Sequence, residues 1–397
     1  MKKVAHIENL FPGIHDYAER AIQWRNHIHR HPELSFEENE TASFVEKILQ
    51  DAGFTNIRRM AGTGVVASLH QNDNIPCIAL RADLDALPIC ESAKNKIRSK
   101  NDGIMHACGH DAHTACLLAA AHFLIKEKNQ LKINVKFIFQ PGEEKLPGGA
   151  SLMMNEGVLD NPEVMAIYGL HVTPDLQTGS FGLRAGPFMA STDELHVKII
   201  GKAGHAAMFG TYVNPIYAGS VLVSQCMDEV TKKFSGIGSD YVLAFGDFHA
   251  HGATNVIAAE AFLKGTLRTF SEDTRASIHS FLLQQSESIA RTTGAKIEFD
   301  IRRGYPVLIN DENLTKKTEK SLSAISHNQQ VIKLNRRMTA EDFAWYSQKV
   351  PACFIRWGTG NTEKGISSSV HTPEFEIDED AMVYGIAALL QCVIQHQ

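Results

Sequence analysis

The stretch His106-Ala107-Cys108-Gly109-His110-Asp111-Ala112-His113 stands directly before an apolar run, residues 112–126, whose composition predicts a buried helix. It places three imidazoles, one thiol and one carboxylate in eight positions. Cys108 and His110 are two residues apart, and in extended backbone that spacing puts both side chains on one face. A thiolate and an imidazole suit zinc and similar divalent metals. The stretch alone fits either a metal site or a polar loop that contains His and Cys.

Further candidate ligands follow other apolar runs. Gln140-Pro141-Gly142-Glu143-Glu144 comes after a strand-like run at 132–139. Two adjacent carboxylates repel each other unless a cation or a proton compensates, so one can bind metal while its neighbour handles protons. His171 ends a second strand-like run at 164–172, and His371 lies in the loop 367–373. Each of these features alone is common on a solvated surface, whereas their occurrence together indicates a metal site.

Strand and helix patterns alternate from the N-terminus to about residue 183. Helices are predicted at 14–31 and at 37–52, with Gly53 as the C-cap of the second, and strands at 65–69 and 77–82. Such alternation predicts an α/β domain, a sheet covered by helices. Sites in such sheets form at the carboxyl ends of strands. Asp83, Glu143, Glu144 and His171 are expected there, just past strand-like runs.

The pattern changes after residues 184–187. A strand at 194–200, a helix at 215–232, strands at 241–248 and 255–268, a helix at 273–293 and a strand at 296–301 follow in order. This order predicts a small α+β domain of ferredoxin-like type, inserted into the first domain. A chain of 397 residues is also too long for one compact core. We therefore expect a discontinuous catalytic domain at 1–185 and 304–397, and an inserted lid at 186–303.

Composition excludes several classes of protein. Apolar residues make up 44% and charged residues 21%, as in ordinary soluble globular chains. The net charge of −6 and the absence of a basic block argue against a nucleic-acid partner. No run predicts a membrane span or a signal peptide, so no membrane partner is expected. Seven scattered cysteines without CxxC spacing predict a reducing, cytoplasmic location. His27, His29 and His31 spread around a helix, which predicts a surface position for them.

Seven motifs, taken in order, resemble those of the M20 metallopeptidases. The resemblance is to the aminoacylase-like amidohydrolases of that family, which include hippurate hydrolases and auxin-conjugate hydrolases. The motifs cover residues 24–36, 80–88, 106–113, 140–144, 169–171, 201–207 and 338–343. No single motif is decisive, but the ordered set is highly specific and extends over almost the whole chain.

The resemblance implies a role for each matching residue. The positions that match the family's ligands for two close divalent ions are Cys108, His110, Glu144, His171 and His371. Glu143 matches the general base, and Asp85 matches a carboxylate that can hold a liganding imidazole in its tautomer. Zinc, manganese, cobalt and nickel all remain open as the metal.

The resemblance extends into the predicted lid. His205 matches a residue that helps to stabilise the oxyanion, often in the site of a neighbouring subunit, and Asn255 matches a substrate contact. A homodimer through the lid is therefore expected. This chain departs from the family pattern at Phe209 and Gly210, where Pro and His are usual, and at Ala258, where Pro is common. These departures affect the expected shape of the substrate pocket.

The leading hypothesis is a binuclear metal hydrolase that cleaves an N-acyl amino acid to a carboxylate and a free amino acid. A dipeptidase or aminopeptidase that acts on short peptides with the same metals is the alternative, and a non-catalytic small-molecule-binding relative is a third interpretation. Serine chemistry is disfavoured because no GxSxG motif is present. A nucleophilic Cys108 with His110 as base is disfavoured because neighbours on one strand seldom face each other.

Overall fold

The computed structural model describes residues 5–72, 74–234, 241–326 and 331–397. Its helices are α1 (Ala5–Leu10), α2 (Ile14–Arg30), α3 (Asn39–Ala52), α4 (His110–Lys126), α5 (Gly149–Asn155), α6 (Pro215–Phe234), α7 (Glu272–Thr293), α8 (Glu312–Ser323), α9 (Ala344–Ser347) and α10 (Met382–Ile394). Its strands are β1 (Ile57–Met60), β2 (Gly64–Leu69), β3 (Cys77–Asp83), β4 (Asn134–Gln140), β5 (Val164–Gln177), β6 (Phe181–Leu183), β7 (Gly186–Met189), β8 (Asp193–Ile200), β9 (Gly204–His205), β10 (Tyr241–His249), β11 (Val256–Ile257), β12 (Glu260–Thr269), β13 (Lys296–Arg303), β14 (Leu308–Asn310), β15 (Val331–Lys333) and β16 (Ala352–Gly360).

These elements form two compact units. The first comprises the chain up to Gly186 together with Ile309–Asn335 and Asp342–Gln397. The second comprises Pro187–Leu308 and Arg336–Glu341. The domain limits expected from the sequence, 1–185 with 304–397 and 186–303, stay a prediction. The structural units differ from them by grouping 304–308 and 336–341 with the second unit.

The first unit is built on an eight-stranded mixed sheet in the order β1-β2-β4-β3-β5-β16-β6-β15. The four strands β4, β3, β5 and β16 run parallel to one another. Strand β2 runs antiparallel to β4, and β1 runs antiparallel to β2. Every residue of β3, β4 and β16 is buried. Burial of whole strands is typical of a sheet with helices on both faces. The predicted helix-covered mixed sheet is confirmed.

The second unit contains a four-stranded antiparallel sheet in the order β10-β12-β8-β13. Alternate residues of β8, namely Leu195, Val197 and Ile199, are buried in one core with side chains of α6 and α7. Alternation follows because only one face of this sheet is covered by helices. With the chain order β8-α6-β10-β12-α7-β13, this arrangement confirms the predicted ferredoxin-like α+β fold.

The termini of two helices show how local sequence sets the elements. Helix α3 ends at Gly53, as predicted, and the φ of +100° at this glycine is the left-handed conformation that lets its amide reach the carbonyl of Gln50. Helix α4 begins at His110, before the predicted start at residue 112, with Gly109 as N-cap at a φ of +79°. No helix within the described ranges has the length and apolar composition that a membrane crossing requires.

Candidate metal centre

The acidic candidates lie together because their strands are parallel neighbours. Asp83 and Gln140 end β3 and β4 and are paired in register, so the loops that follow them start side by side. The amide of Glu144 donates a hydrogen bond of 2.9 Å to Oδ2 of Asp85 across these loops. Site formation at the carboxyl edge of parallel strands follows the general rule for such sheets.

Cys108 and His110 also meet at this edge, but not in extended backbone. Cys108 lies in a turn, Gly109 has a left-handed backbone, and His110 is the first residue of α4. The expectation of two side chains on one face of a strand was therefore wrong. The left-handed glycine joins the turn to the helix, and the ligand atoms of Cys108 and His110 still lie within 4.8 Å of each other.

His171 and His371 approach from other parts of the first unit. His171 lies within β5 rather than just past it, because β5 continues to Gln177 alongside β16. His371 has a φ of +62°, which is unusual for a residue with a side chain. Its amide donates to the carbonyl of Ala107 at 2.8 Å, which fixes the loop next to Cys108.

The five predicted ligands thus form two overlapping groups of donor atoms, each within 4.8 Å. One group contains Cys108, His110 and His171, and the other contains Cys108, Glu144 and His371. Sγ of Cys108 lies 3.4 Å from Nε2 of His171 and 3.3 Å from Nε2 of His371. Nε2 of His371 is 3.0 Å from Oε1 of Glu144. Thiolate, imidazole and carboxylate donors are the set that zinc and related metals bind.

The hydrogen bonds of His110 leave one nitrogen for a metal. Its Nδ1 lies 2.9 Å from the carbonyl oxygen of Asp85, which can only accept, so Nδ1 carries the proton. Its buried Nε2 makes no hydrogen bond with the described residues, and the nearby carboxylates of Asp83 and Glu144 lie 3.7 and 4.0 Å away. A buried nitrogen without a partner is costly unless a cation binds it. The site therefore fits a metal ion.

His171 shows the same arrangement. Its Nδ1 donates to the carbonyl of Val172 at 2.7 Å, so Nε2 presents its lone pair towards Cys108. Burial, and then the nearby Arg356, hold the pKa of His171 well below its ordinary value. The imidazole is therefore neutral, which is the form that ligates metal.

The surroundings of two other ligands, His371 and Cys108, raise their pKa values. Hydrogen bonds with Cys108 and Glu144 raise the pKa of His371 to about 10. Burial, and then the charge of Glu144, raise the pKa of the Cys108 thiol. Without a metal ion, His371 and Cys108 therefore hold protons at the site. Binding of a metal ion would release these protons.

Asp83 and Asp85 hold the two histidines in the first turn of α4, His110 and His113. Burial opposes ionisation of Asp85, but the hydrogen bond and charge of His110, together with the hydrogen bonds from Ser35 and the Glu144 amide, lower the pKa of the carboxyl. Oδ1 of Asp83 lies 2.6 Å from Nδ1 of His113, and Nε2 of His113 accepts from the amide of Val172 at 2.9 Å. Because both nitrogens of His113 are engaged, this residue ties α4 to β5 and leaves no lone pair for a metal.

Glu143, the predicted base, is buried and lies next to these donors. Its Oε1 accepts from the amide of Asp342 at 3.4 Å, and one of its oxygens lies within 4.8 Å of ligand atoms of His110 and Glu144. A carboxylate at this distance can exchange protons with a reactant held at the donor groups.

His205 and Asn255 belong to the second unit, where the structure brings them together. His205 pairs with Val256 across the short strands β9 and β11, and the amide of Ala206 donates to the carbonyl of Asn255 at 3.0 Å. Phe209, at one of the departures from the family pattern, is 92% exposed.

One buried histidine, His29, was placed wrongly from the sequence, and another, His106, was assigned no role. His29 is buried, not on the surface as expected, because Nδ1 lies 2.8 Å from Asp111 and Nε2 lies 3.0 Å from Glu91. His106 is buried and hydrogen-bonds none of the described residues. Burial lowers the pKa of His106 to about 4, so this ring is neutral.

Comparison with known proteins agrees with this geometry. The sequence model of peptidase family M20/M25/M40 matches residues 79–395. The chain belongs to this family, as its motifs indicated, and it is therefore an enzyme of the M20 amidohydrolase type. Membership of this family argues against the third interpretation, that the protein binds small molecules without catalysing a reaction.

Individual relatives are similar over most of their length. An N-acetylcysteine deacetylase of Bacillus subtilis (strain 168) is 36% identical over 91% of this chain and 93% of its own. An N-acyl-L-amino acid amidohydrolase of Geobacillus stearothermophilus is 38% identical over 73% of this chain and 77% of its own. The crystal structure of the Bacillus subtilis YXEP protein, described as a dinuclear metal binding peptidase from the M20 family, has a TM-score of 0.82 at 32% identity and covers 96% of this chain and 98% of that one.

Proposed function

We propose that this protein hydrolyses the amide bond of N-acyl amino acids, giving a carboxylate and a free amino acid. The observation that carries the proposal is the convergence of five metal-type donors, three of them buried, with Glu143 beside them. The names of two relatives, a deacetylase of N-acetylcysteine and an N-acyl-L-amino acid amidohydrolase, support the substrate class.

We assign two divalent ions to the overlapping donor groups, with Cys108 common to both. The description of the YXEP protein as a dinuclear metal binding peptidase supports the number. We propose zinc, manganese, cobalt or nickel as the metal, because affinity order and cellular availability compete in the choice among them. When bound, such ions lower the pKa of water and polarise the scissile carbonyl.

Glu143 then performs the proton transfers. Its carboxylate takes a proton from the attacking water and later gives it to the leaving amine. Asp85 keeps the proton of His110 on Nδ1, so that Nε2 stays available as a ligand. We assign stabilisation of the negative oxygen to His205 and a substrate contact to Asn255, which are neighbours in the second unit.

We also propose a homodimer that forms through the second unit. Strand β10 is an edge of its sheet, and this unit exposes large apolar side chains, including Phe209 at 92% and Tyr217 at 63%. Exposed edges and apolar side chains are features of interaction surfaces. Sedimentation would give twice the chain mass for the wild type and a lower mass for Tyr217→Lys. A cytoplasmic location is proposed because all seven cysteines are free thiols.

The test of the function combines a substrate panel with one variant. Wild-type protein should hydrolyse N-acetyl or N-benzoyl amino acids, and Glu143→Gln should lower kcat by about 10²–10⁴-fold while metal content is unchanged. Glu163→Gln, at an exposed glutamate, is the control. Unchanged turnover in Glu143→Gln would remove this residue from the mechanism.

A dipeptidase or aminopeptidase is the second candidate, since the YXEP protein is described as a peptidase. Dipeptides cleaved in place of N-acyl amino acids would favour it, because only such a peptidase requires the free amine of its substrate.

A further inference from the structure

Glu38 is a buried carboxylate that contacts the loop carrying Glu143. Its side chain is fully buried, and its Oε1 accepts a hydrogen bond of 2.8 Å from the amide of Gly142. The same oxygen accepts from the amide of Phe36 at 2.9 Å, and Oε2 accepts from the hydroxyl of Thr63 at 2.5 Å. These three donors offset part of the cost of burying the carboxylate, although burial still raises the pKa of Glu38 above its ordinary value.

The amide on the other side of Glu143 is held in the same way. The amide of Glu144 donates to Oδ2 of Asp85, and this oxygen also accepts from the hydroxyl of Ser35 at 2.6 Å. The peptide groups of Gly142 and Glu144 are thus each fixed by a buried carboxylate. Since these two residues flank Glu143, the backbone that carries the proposed base is held on both sides.

Packing reinforces these hydrogen bonds. Gly142 has a φ of +55°, and a Cβ placed on it would lie 2.4 Å from two ring carbons of Phe36. Phe36 itself has a φ of +69°, a strained conformation for a residue with a side chain. The bond from its amide to Glu38 helps to keep this conformation, which presses the ring against Gly142.

We propose that Glu38 is a positioning residue for hydrolysis, which fixes the loop 141–144 so that Glu143 points at the donor cluster. The inference rests on the proposed function for its catalytic meaning. A shift of about 1 Å at a catalytic group is enough to cost about 10²-fold in rate. Loss of Glu38 removes the acceptor for the Gly142 amide and frees the ring of Phe36, and both changes loosen the loop.

The chemistry of Glu38 predicts an order among its variants. Glu38→Ala removes all three acceptor contacts. Glu38→Asp keeps a carboxylate but is one methylene too short to reach Gly142 and Thr63 together. In Glu38→Gln the amide oxygen still accepts from Gly142 and Phe36, and its NH₂ can donate to the hydroxyl of Thr63. We expect kcat to fall about 10–100-fold in the Ala and Asp variants and to recover to within about fivefold in the Gln variant.

The experiment measures kcat, KM, bound metal and hydrogen exchange in the full-length protein. KM and metal content should stay near wild-type values in Glu38→Asp, while exchange in a peptide covering 140–146 should rise and exchange in β5 should not. Glu37→Ala is the matched control, because Glu37 is the adjacent, exposed glutamate. If Glu38→Ala does not fold, the Asp and Gln variants provide the comparison.

Three results would overturn the proposal. The first is wild-type kcat in the folded Ala or Asp variant, and the second is a loss of kcat that excess metal restores, which would place Glu38 in metal retention. The third is unchanged exchange at 140–146. A wild-type protein that hydrolyses no amide in the panel would reject the proposed function, and the exchange experiment would still decide whether Glu38 fixes the loop.

Discussion

Nε2 of His371 lies 3.3 Å from Sγ of Cys108, although 263 positions separate the two residues in the chain. The whole second unit is encoded between them. Both flanks of the insertion must therefore fold together before this donor pair exists. Because Cys108 also belongs to the group with His110 and His171, its thiol is the donor common to both groups.

Loss of Cys108 is expected to reduce metal binding more than loss of His371. Cys108→Ser replaces the shared thiolate by a weak ligand, and bound metal should fall well below one ion per chain, whereas His371→Ala should retain about one. Elemental analysis after gel filtration measures both. Cys90→Ser, at an exposed thiol, should keep the wild-type content. Equal losses in the two ligand variants would contradict the shared role of the thiol.

Asp85→Asn should weaken metal binding by about 10–100-fold, since such supporting carboxylates contribute that much to metal sites. The substitution replaces one carboxylate oxygen by an NH₂ group, which cannot accept a hydrogen bond. Either Oδ2 then no longer accepts from Ser35 and Glu144, or Oδ1 no longer accepts from His110. Competition with a chelator gives the affinity. Ser35→Ala, which removes only the hydroxyl, should have a smaller effect, and the reverse order would refute this interpretation.

Gly142→Ala should lower both activity and thermal stability because its new Cβ would meet the ring of Phe36. Gly103→Ala is the matched control, since this glycine also has a positive φ, +79°, but a Cβ added to it would meet no atom within 4 Å. The control should lose about 1 kcal/mol of stability from backbone strain alone and keep its kcat. Similar kinetic effects in the two variants would show that the Phe36 contact is unimportant.

The second unit should lose stability in acid through Asp193. Burial opposes ionisation, but hydrogen bonds from Arg275 and His279 lower the pKa of this carboxyl to about 2, below its ordinary value of 3.8. Since the folded pKa is the lower one, the stabilisation is present above pH 3.8 and is lost as pH falls through about 2. It amounts to about 2 kcal/mol.

The check is denaturant unfolding of Asp193→Asn at pH 7 and at pH 3. The variant should be less stable than the wild type at pH 7, by about 3–5 kcal/mol because Arg275 loses its buried partner, and the difference should narrow at pH 3. Asp300→Asn, in an exposed pair with Arg302, should change little at either pH. A difference that is independent of pH would contradict the linkage.

Local patterns predicted most of the elements. Gly53 marked the end of α3, and alternation in β8 marked a sheet with one covered face. The order of strands was not predictable in detail, because pairing between β5 and β16 depends on contacts far apart in the chain. His171 was expected at a strand end for the same reason, since nothing local shows that β5 continues beyond it.

The residue types of the candidate ligands could be predicted from the sequence, but the backbone conformation that brings them together could not. The left-handed Gly109 and the positive φ of His371 come from tertiary contacts that no spacing rule contains. Glu38 was missed because a Glu-Glu pair at the start of a helix has the pattern of a solvated surface. His29 was misplaced because its partners, Asp111 and Glu91, are distant in sequence.

The place of β16 in the sheet has a consequence for biosynthesis. This strand lies between β5 and β6, yet it is translated after both of them and after the second unit. On the ribosome, one long side of β5 therefore stays uncovered until nearly the whole polypeptide has emerged, and an uncovered strand edge is a template for aggregation. A nascent chain that stops before Ala352 lacks the strand that joins β5 to β6, so its sheet stays divided into a five-stranded and a two-stranded part until the last segment is made.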